Sequence, residues 1–561
     1  MQEESVTSEL TAMTPDDFRS AVEGKPEARG KYPHCFREEE APGGSTVSVV
    51  HFSQIKVSGV IRIADIPGKL PAIYIKNAIL DNLLFENCQA GHIYIDNSSF
   101  GDINIAGPST VVEYIRISGG SFKTVAVYDN AKCRFLAIEK NDDGEPNVFV
   151  DGPQTVLDYL KFQEAKIGML ELARNATAGE IDIERSVARY IKLFENTSLD
   201  NLQITDNSTC LRLDLETVTI NERLSIRDST INYFWFQVKG LLEGNIDNST
   251  IQVLKYKALC STVFNISYSK MIEFSLQRIR TGKDGLIQLI NCAVNTLEFD
   301  TVLNLASINI KDLTPLKSLR RYKHYPGDGG EGAIVDWYET GEFTGVAQIN
   351  IFNSDIGKTM FSSNLSGFDK FCFSNSKIIE AFIAGPRLPD IYARPGENED
   401  EQKRIAYSQI KRIYENRGDT ITAMKYFRLE MEIYHGQLKN NLEDKIPGEK
   451  FQLLFNQFTN RHGTEWQKAL MVTLLSSVLL YAVYCTLLFG FDFHGHIKWR
   501  LLPYYFEFVN PTHKIDFLKQ FAYSTNTVRD SIALVLDSLC RITVPLLLYQ
   551  MIQAFRKYGR K

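Results

Sequence analysis

The sequence predicts a mainly β protein: a right-handed parallel β-solenoid of degenerate, pentapeptide-like repeats, then a helical hairpin and two transmembrane helices. Three observations predict it. Apolar-x-apolar segments recur about every ten or eleven residues, as IYI at 73–75, IYI at 93–95, YIRI at 114–117, LQI at 202–204 and INI at 308–310. Helical periodicity replaces that beat over 399–440. Two long apolar stretches, 469–490 and 532–555, come near the end of the chain.

Residues 1–45 are polar, with an acidic run at Glu38–Glu40 and Pro42-Gly43-Gly44, and are expected to form a disordered lead-in. Over 46–390 the fixed short repeat implies a stacked architecture. An α-solenoid is excluded because its repeats need more than about thirty residues. Leucine-rich repeats fit poorly, since their Asn ladder is missing. Each coil of the solenoid would use two apolar segments, roughly twenty-one residues in all, with turn formers such as Asp96-Asn97-Ser98, Asp206-Asn207-Ser208 and Asp247-Asn248-Ser249 at its corners. Some coils show a five-residue beat, as in Ile95, Phe100 and Ile105. About a dozen coils between 50 and 313, at ~4.8 Å each, would make a rod of roughly 55–60 Å.

Residues 314–345 interrupt the rhythm and are expected to leave the solenoid as a loop, and the repeat returns at 346–385. A linker with Pro386, Pro389 and Pro395 ends the rod. Residues 399–440 form a helical hairpin of the tetratricopeptide kind. Ile405, Ile410, Ile413 and Tyr414 line one face, Arg417-Gly418-Asp419 makes the turn, and Ala423, Phe427, Met431 and Tyr434 line the second face. A lone hairpin needs a neighbour to cover it. Residues 441–466 are expected to be an interfacial segment, and 467–561 the two-span region.

The first span has no charge over residues 469–490. Lys450, Arg461 and Lys468 precede it, and Arg556, Lys557, Arg560 and Lys561 end the chain. The positive-inside rule then puts both termini in the cytoplasm. The N-terminus has neither a basic n-region nor an apolar h-region, so no signal peptide is expected and the solenoid stays in the cytosol. Residues 51–400 carry 35 Lys and Arg against 44 Asp and Glu, a net of −9, which argues against nucleic acid as a partner. Residues 401–561 carry 22 against 14, a net of +8, which suits anionic headgroups. Nine cysteines lie singly without CxxC spacing, as expected of buried thiols in a reducing compartment. Seven Asn-x-Ser/Thr sequons, among them Asn97 and Asn207, are expected to be turns.

Asp537 and Arg541 stand one helical turn apart inside the second span, where charge is expensive and seeks a partner. They are expected to form a structural ion pair between helices, or a gate. Arg320, Arg321 and Lys323 could contact an anion, though a solvated charge run is the simpler reading. Gly327–Gly332 lacks the Gly-Lys-Ser/Thr ending of a phosphate loop and reads as a flexible turn. His494 and His496, with Asp492, form a small possible metal cluster, but nothing in the sequence fixes a complete ligand set for zinc. The connection 491–530 could lie at the interface or re-enter the membrane, and it holds no TVGYG-like filter. No cofactor, metal or catalytic residue is expected.

From about residue 400 onward the chain resembles bacterial membrane-associated pentapeptide-repeat proteins. The resemblance rests on AYSQIKRIYENRGDTITAMKYFRLEMEIY, on Asn460-Arg461-His462-Gly463-Thr464-Glu465-Trp466, and on the closing YQMIQAFRKYG at 549–559. It implies a repeat rod anchored in the bacterial inner membrane by two helices. Many members carry an ion-channel-like helix pair, but this chain lacks their filter motif. Three functions compete. The first is a membrane-anchored scaffold presenting the solenoid to a protein partner. The second is an oligomeric channel or membrane-perturbing effector, which requires self-assembly because two spans cannot enclose a pore. The third is a carbohydrate-active β-helix enzyme, against which the cytosolic placement argues.

Overall fold

The computed structural model describes residues 10–40, 46–141, 144–257, 263–281, 283–322, 340–385, 387–440, 447–489, 501–510, 512–514, 518 and 527–559. The chain forms two compact units, 1–390 and 391–561. The first is a parallel β-solenoid of about 15 turns, and strands make up 47% of the chain. At ~4.8 Å per turn the stack is about 70 Å long.

The apolar spacing dictates the coil. From Ile73 to Ile105 the buried residues other than Gly91 fall on two interleaved series, each with a step of five: Ile73, Ala78, Leu83, Cys88, Ile93, Ser98, Ile103 and Ile75, Leu80, Phe85, Ala90, Ile95, Phe100, Ile105. The chain therefore turns after every pair of inward residues, and successive coils superpose. Ile73 pairs with Ile93, Ile93 with Ile115, Ile115 with Leu136, Leu136 with Leu160, Leu160 with Ile181 and Ile181 with Leu202, all in parallel register. Extra residues enter at corners, as at Gly107-Pro108-Ser109, so the inward positions keep their alignment there. Each Ile, Leu or Val in this stack contributes about 1.5–3 kcal/mol through burial.

The corners explain the polar residues of the repeat. Asn97, Asn207 and Asn248 take positive φ, which Asn tolerates better than most residues. The following Ser98, Ser208 and Ser249 turn inward and are buried. Ser98 Oγ accepts from the Ala78 N–H at 3.1 Å and donates to the Asp96 carbonyl at 2.8 Å. The Ser186 hydroxyl accepts from Ala165 N–H at 3.0 Å, and that of Ser249 from Ser229 N–H at 3.2 Å. Coil is thus tied to coil by a ladder of small hydroxyls. The sequon residues Asn97, Asn175, Asn196, Asn207 and Asn248 all adopt this left-handed geometry. Cys88 and Cys292 occupy the same corner position, and burial pushes each thiol up to about 11. Burial pushes Cys133 up to about 12. These thiols are packing groups, poor as nucleophiles near neutral pH.

The lead-in needs correction. Residues 10–40 are not a disordered tail but the cap of the solenoid. Thr11–Met13 pairs with Ile55–Val57, α1 spans Pro15–Val22, α2 spans Pro26–Lys31, and Phe36–Glu40 runs antiparallel to Thr46–Val50. The polar composition hid a short amphipathic helix. Thr14 caps it and Phe18, Ala21 and Val22 lie on its buried face, with the Phe18 ring stacked on Phe52 at 3.9 Å. An uncapped end coil would leave its apolar core open to water, which is why solenoids carry end caps. At the interruption, Ser318–Tyr322 and Thr340–Thr344 form an antiparallel hairpin outside the main sheet, while 323–339 lie outside the described residues. Gln348–Phe352 then resumes the stack on Thr296–Asp300.

In the second unit α3 spans Glu399–Asn416 and α4 Thr420–Asn440. They pack through buried Ala406, Ile410, Ile413 and Tyr414 against Ala423 and Tyr426, while Ile405 and Phe427 are half-buried. The Tyr414 and Tyr426 rings stack at 5.6 Å, and Lys411 pairs with Glu430 at 2.8 Å. Next come α5 (Pro447–Thr459), α6 (Trp466–Phe489), α7 (Tyr504–Val509) and α8 (Thr527–Gly559). Arg461, His462 and Gly463 all take positive φ, a tight reversal between α5 and α6. Buried Asn460 holds it, accepting from the Gly463 N–H at 2.9 Å and donating to the Gln550 carbonyl of α8 at 3.1 Å. The Trp466 ring meets Phe555 at 5.0 Å.

Both α6 and α8 are long and apolar enough to cross a membrane. Their outer faces expose Met471, Leu474, Leu475, Val478 and Leu479, and Ile532, Val535, Leu539, Ile542 and Leu546; Leu475 is 68% exposed. Apolar surface this continuous is costly in water and suits lipid.

Candidate functional sites: a buried carboxylate between α6, α7 and α8, and an arginine column on the solenoid

The connection between α6 and α8 does not stay outside the helix pair. Tyr505 on α7 shares a hydrogen bond with Ser477 at 2.7 Å, and the Tyr481 hydroxyl donates to the Leu501 carbonyl at 2.5 Å. Ser477 lies near the middle of α6, about 18 Å from its Phe489 end at ~1.5 Å per residue. Tyr481, Tyr484 and Leu488 of α6, Phe508 of α7 and Ala533, Cys540 and Val544 of α8 share one apolar core. Residues 501–510 and 512–514 therefore pack alongside the two apolar helices. Their aromatic content follows from that location: Tyr505 and Phe508 fill space between helices, and the Tyr505 and Tyr481 hydroxyls and the Leu501 carbonyl find partners there.

Beyond α7 the chain turns through Asn510, whose side chain accepts from the Thr512 N–H at 3.1 Å. That turn aims His513 at α8. His513 is 6% exposed and Asp537 is fully buried, and His513 Nε2 lies 2.7 Å from Asp537 Oδ1. Arg541 Nε stands 3.6 Å from Asp537 Oδ2, and its Nη2 donates to the His513 carbonyl. The expected Asp537–Arg541 pair is thus present, with a third member. At ~1.5 Å per residue Asp537 lies about 14 Å into the 28-residue Val528–Phe555 stretch, roughly a third of the way along it, and Arg541 lies near its middle.

Sequence reasoning missed His513. The signal available was indirect: a carboxylate in an apolar helix needs more than one neighbour to satisfy it, and His513 is an ionisable residue in the aromatic connection. The other sequence candidates are not brought together. Arg320 and Arg321 lie on the 318–322 strand opposite Glu342 and Gly341. Lys323, Gly327–Gly332, Asp492, His494 and His496 fall outside the described residues. Among the described residues no group of three or more His, Cys, Asp or Glu could hold a metal.

On the solenoid, Tyr190, Arg212 and Tyr233 occupy one register column. The Arg212 guanidinium sits 5.5 Å from the Tyr190 ring and 5.1 Å from the Tyr233 ring. Asp214 accepts from Arg212 Nε at 2.8 Å and from the Tyr190 hydroxyl at 2.7 Å. Burial, then Asp214, pushes the Tyr190 hydroxyl well up from its usual range. Trp235 stands beside Asp214 in the neighbouring coil. All three aromatics are half-buried, so their edges remain at the surface.

The chain matches no protein-family model, no curated protein and no solved structure.

Proposed function

We propose that this chain is a membrane-anchored binding protein that offers one side of its solenoid to a protein partner. The observation that carries this reading is the Tyr190–Arg212–Tyr233 column with Trp235. Interface hot spots are rich in Tyr, Trp and Arg, and the Asp214 bonds hold Arg212 in place before any partner arrives. On this reading the solenoid belongs with the pentapeptide-repeat group, which the five-residue burial beat supports. The membrane is a bacterial inner membrane, with the solenoid and the C-terminus on the cytoplasmic side. Lys450, Arg461, Lys468 and the basic C-terminus support that side.

A second reading, an oligomeric channel, is favoured by the packing of residues 501–510 and 512–514 against α6 and α8, as in a segment that dips beside two spans, which would need further copies to enclose a pore. One experiment separates the two. A photo-crosslinking phenylalanine analogue replaces Trp235, or exposed Lys132 as control, in intact cells, and the mass of the detergent-solubilised protein is measured. The binding reading expects a discrete adduct from position 235 and none from 132. No adduct at 235 counts against it, and a monomer in detergent removes the channel.

A further inference from the structure

We propose that His513 and Asp537 hold one proton between them, and that this shared proton fastens the segment after α7 to α8. His513 Nδ1 lies 2.6 Å from the Asn510 carbonyl oxygen. A carbonyl can only accept, so Nδ1 carries a hydrogen. Nε2 then faces Asp537 Oδ1 at 2.7 Å. Without a further proton, that contact would set the Nε2 lone pair against a carboxylate oxygen. The geometry therefore contains one proton on the Nε2–Oδ1 line, as imidazolium with carboxylate or as imidazole with carboxylic acid. Either way the pair is neutral overall, which suits a site where neither side chain meets solvent.

The surroundings fit a neutral pair. Among the described residues, the charged and titratable groups around it include Arg541 and Cys540 of α8, and Tyr484 of α6, whose ring packs on Phe508, which in turn packs on His513. Arg541 holds the His513 carbonyl while standing 3.6 Å from Asp537 Oδ2, so the segment is gripped at both the ring and the backbone of one residue. Losing the proton breaks the ring contact and leaves the carboxylate to Arg541 alone. The site thus takes a proton as its ligand, and its occupancy sets whether His513 stays docked on α8. The inference needs only the geometry within 391–561 and holds in detergent whether or not the helices span a bilayer.

The test is ¹⁵N NMR of the imidazoles in the full chain in detergent. The protein has nine histidines, so the His513 resonances are those lost in His513→Gln. The expected result at pH 7 is a protonated Nδ1 with Nε2 bearing, or hydrogen-bonded to, the shared proton. In Asp537→Asn the ring should become neutral with Nδ1 still protonated, because the amide supplies the missing donor. A neutral ring protonated at Nε2 with a bare Nδ1 overturns the proposal. If Asp537→Asn fails to fold, the wild-type spectrum decides alone.

Discussion

Asp537→Ala recovers far less folded protein from membranes than Asp537→Ala combined with Arg541→Ala. The single change leaves Arg541 at mid-span without its carboxylate and strips His513 of its partner. Removing one member of a buried pair costs about 3–5 kcal/mol, because the survivor remains desolvated and unpaired. Arg541→Ala alone should be milder than Asp537→Ala, since Asp537 keeps His513. The double change removes both charges and should fall between them. The measurement is folded, detergent-extractable protein for the two single variants and the double. If both single variants match wild type, the cluster contributes nothing to the fold. If all fold equally and an ion-leak assay changes, the channel reading gains over the binding reading.

Gly120→Ala should be the most damaging single-methyl change in the solenoid. Gly120 has φ +76°, and a Cβ there would lie 2.1 Å from the Ser98 carbonyl oxygen and 2.6 Å from the Ser98 nitrogen. Both are backbone atoms of the coil below and cannot swing aside without breaking the ladder. Gly24 has nearly the same backbone, φ +69°, but nothing lies within 4 Å of the added carbon. Gly24→Ala should cost only the left-handed strain, about 1–2 kcal/mol. Gly120→Ala adds the collision and should exceed about 4 kcal/mol. Denaturant melts followed by circular dichroism compare the two. Equal losses would mean that coils 98 and 120 are not stacked as described.

Much of this fold is legible in the sequence because a solenoid is a local code. Residues such as Ile95, Phe100 and Ile105 state the inward beat directly, and Asn97-Ser98 states the corner. The N-terminal cap was not legible, since its α1 is only eight residues and its single large apolar anchor, Phe18, finds Phe52 far along the chain. The site is legible only in half. Asp537 and Arg541 are fixed by helical spacing, a local property. His513 meets them only because α7 folds back to the depth of Ser477, and no periodicity in 501–514 encodes that reversal.

The most direct test of the central claim, a solenoid tethered by two spans with both ends on one side, is a pair of reporter fusions. A fluorescent protein that matures only in the cytoplasm is joined after Lys561, and a phosphatase active only outside is inserted after Gly495, between the spans. The account predicts fluorescence from the first, phosphatase activity from the second, and retention of both fusions in membranes washed at alkaline pH. Release by the alkaline wash, or an inactive phosphatase at 495 with a fluorescent C-terminus, would contradict it.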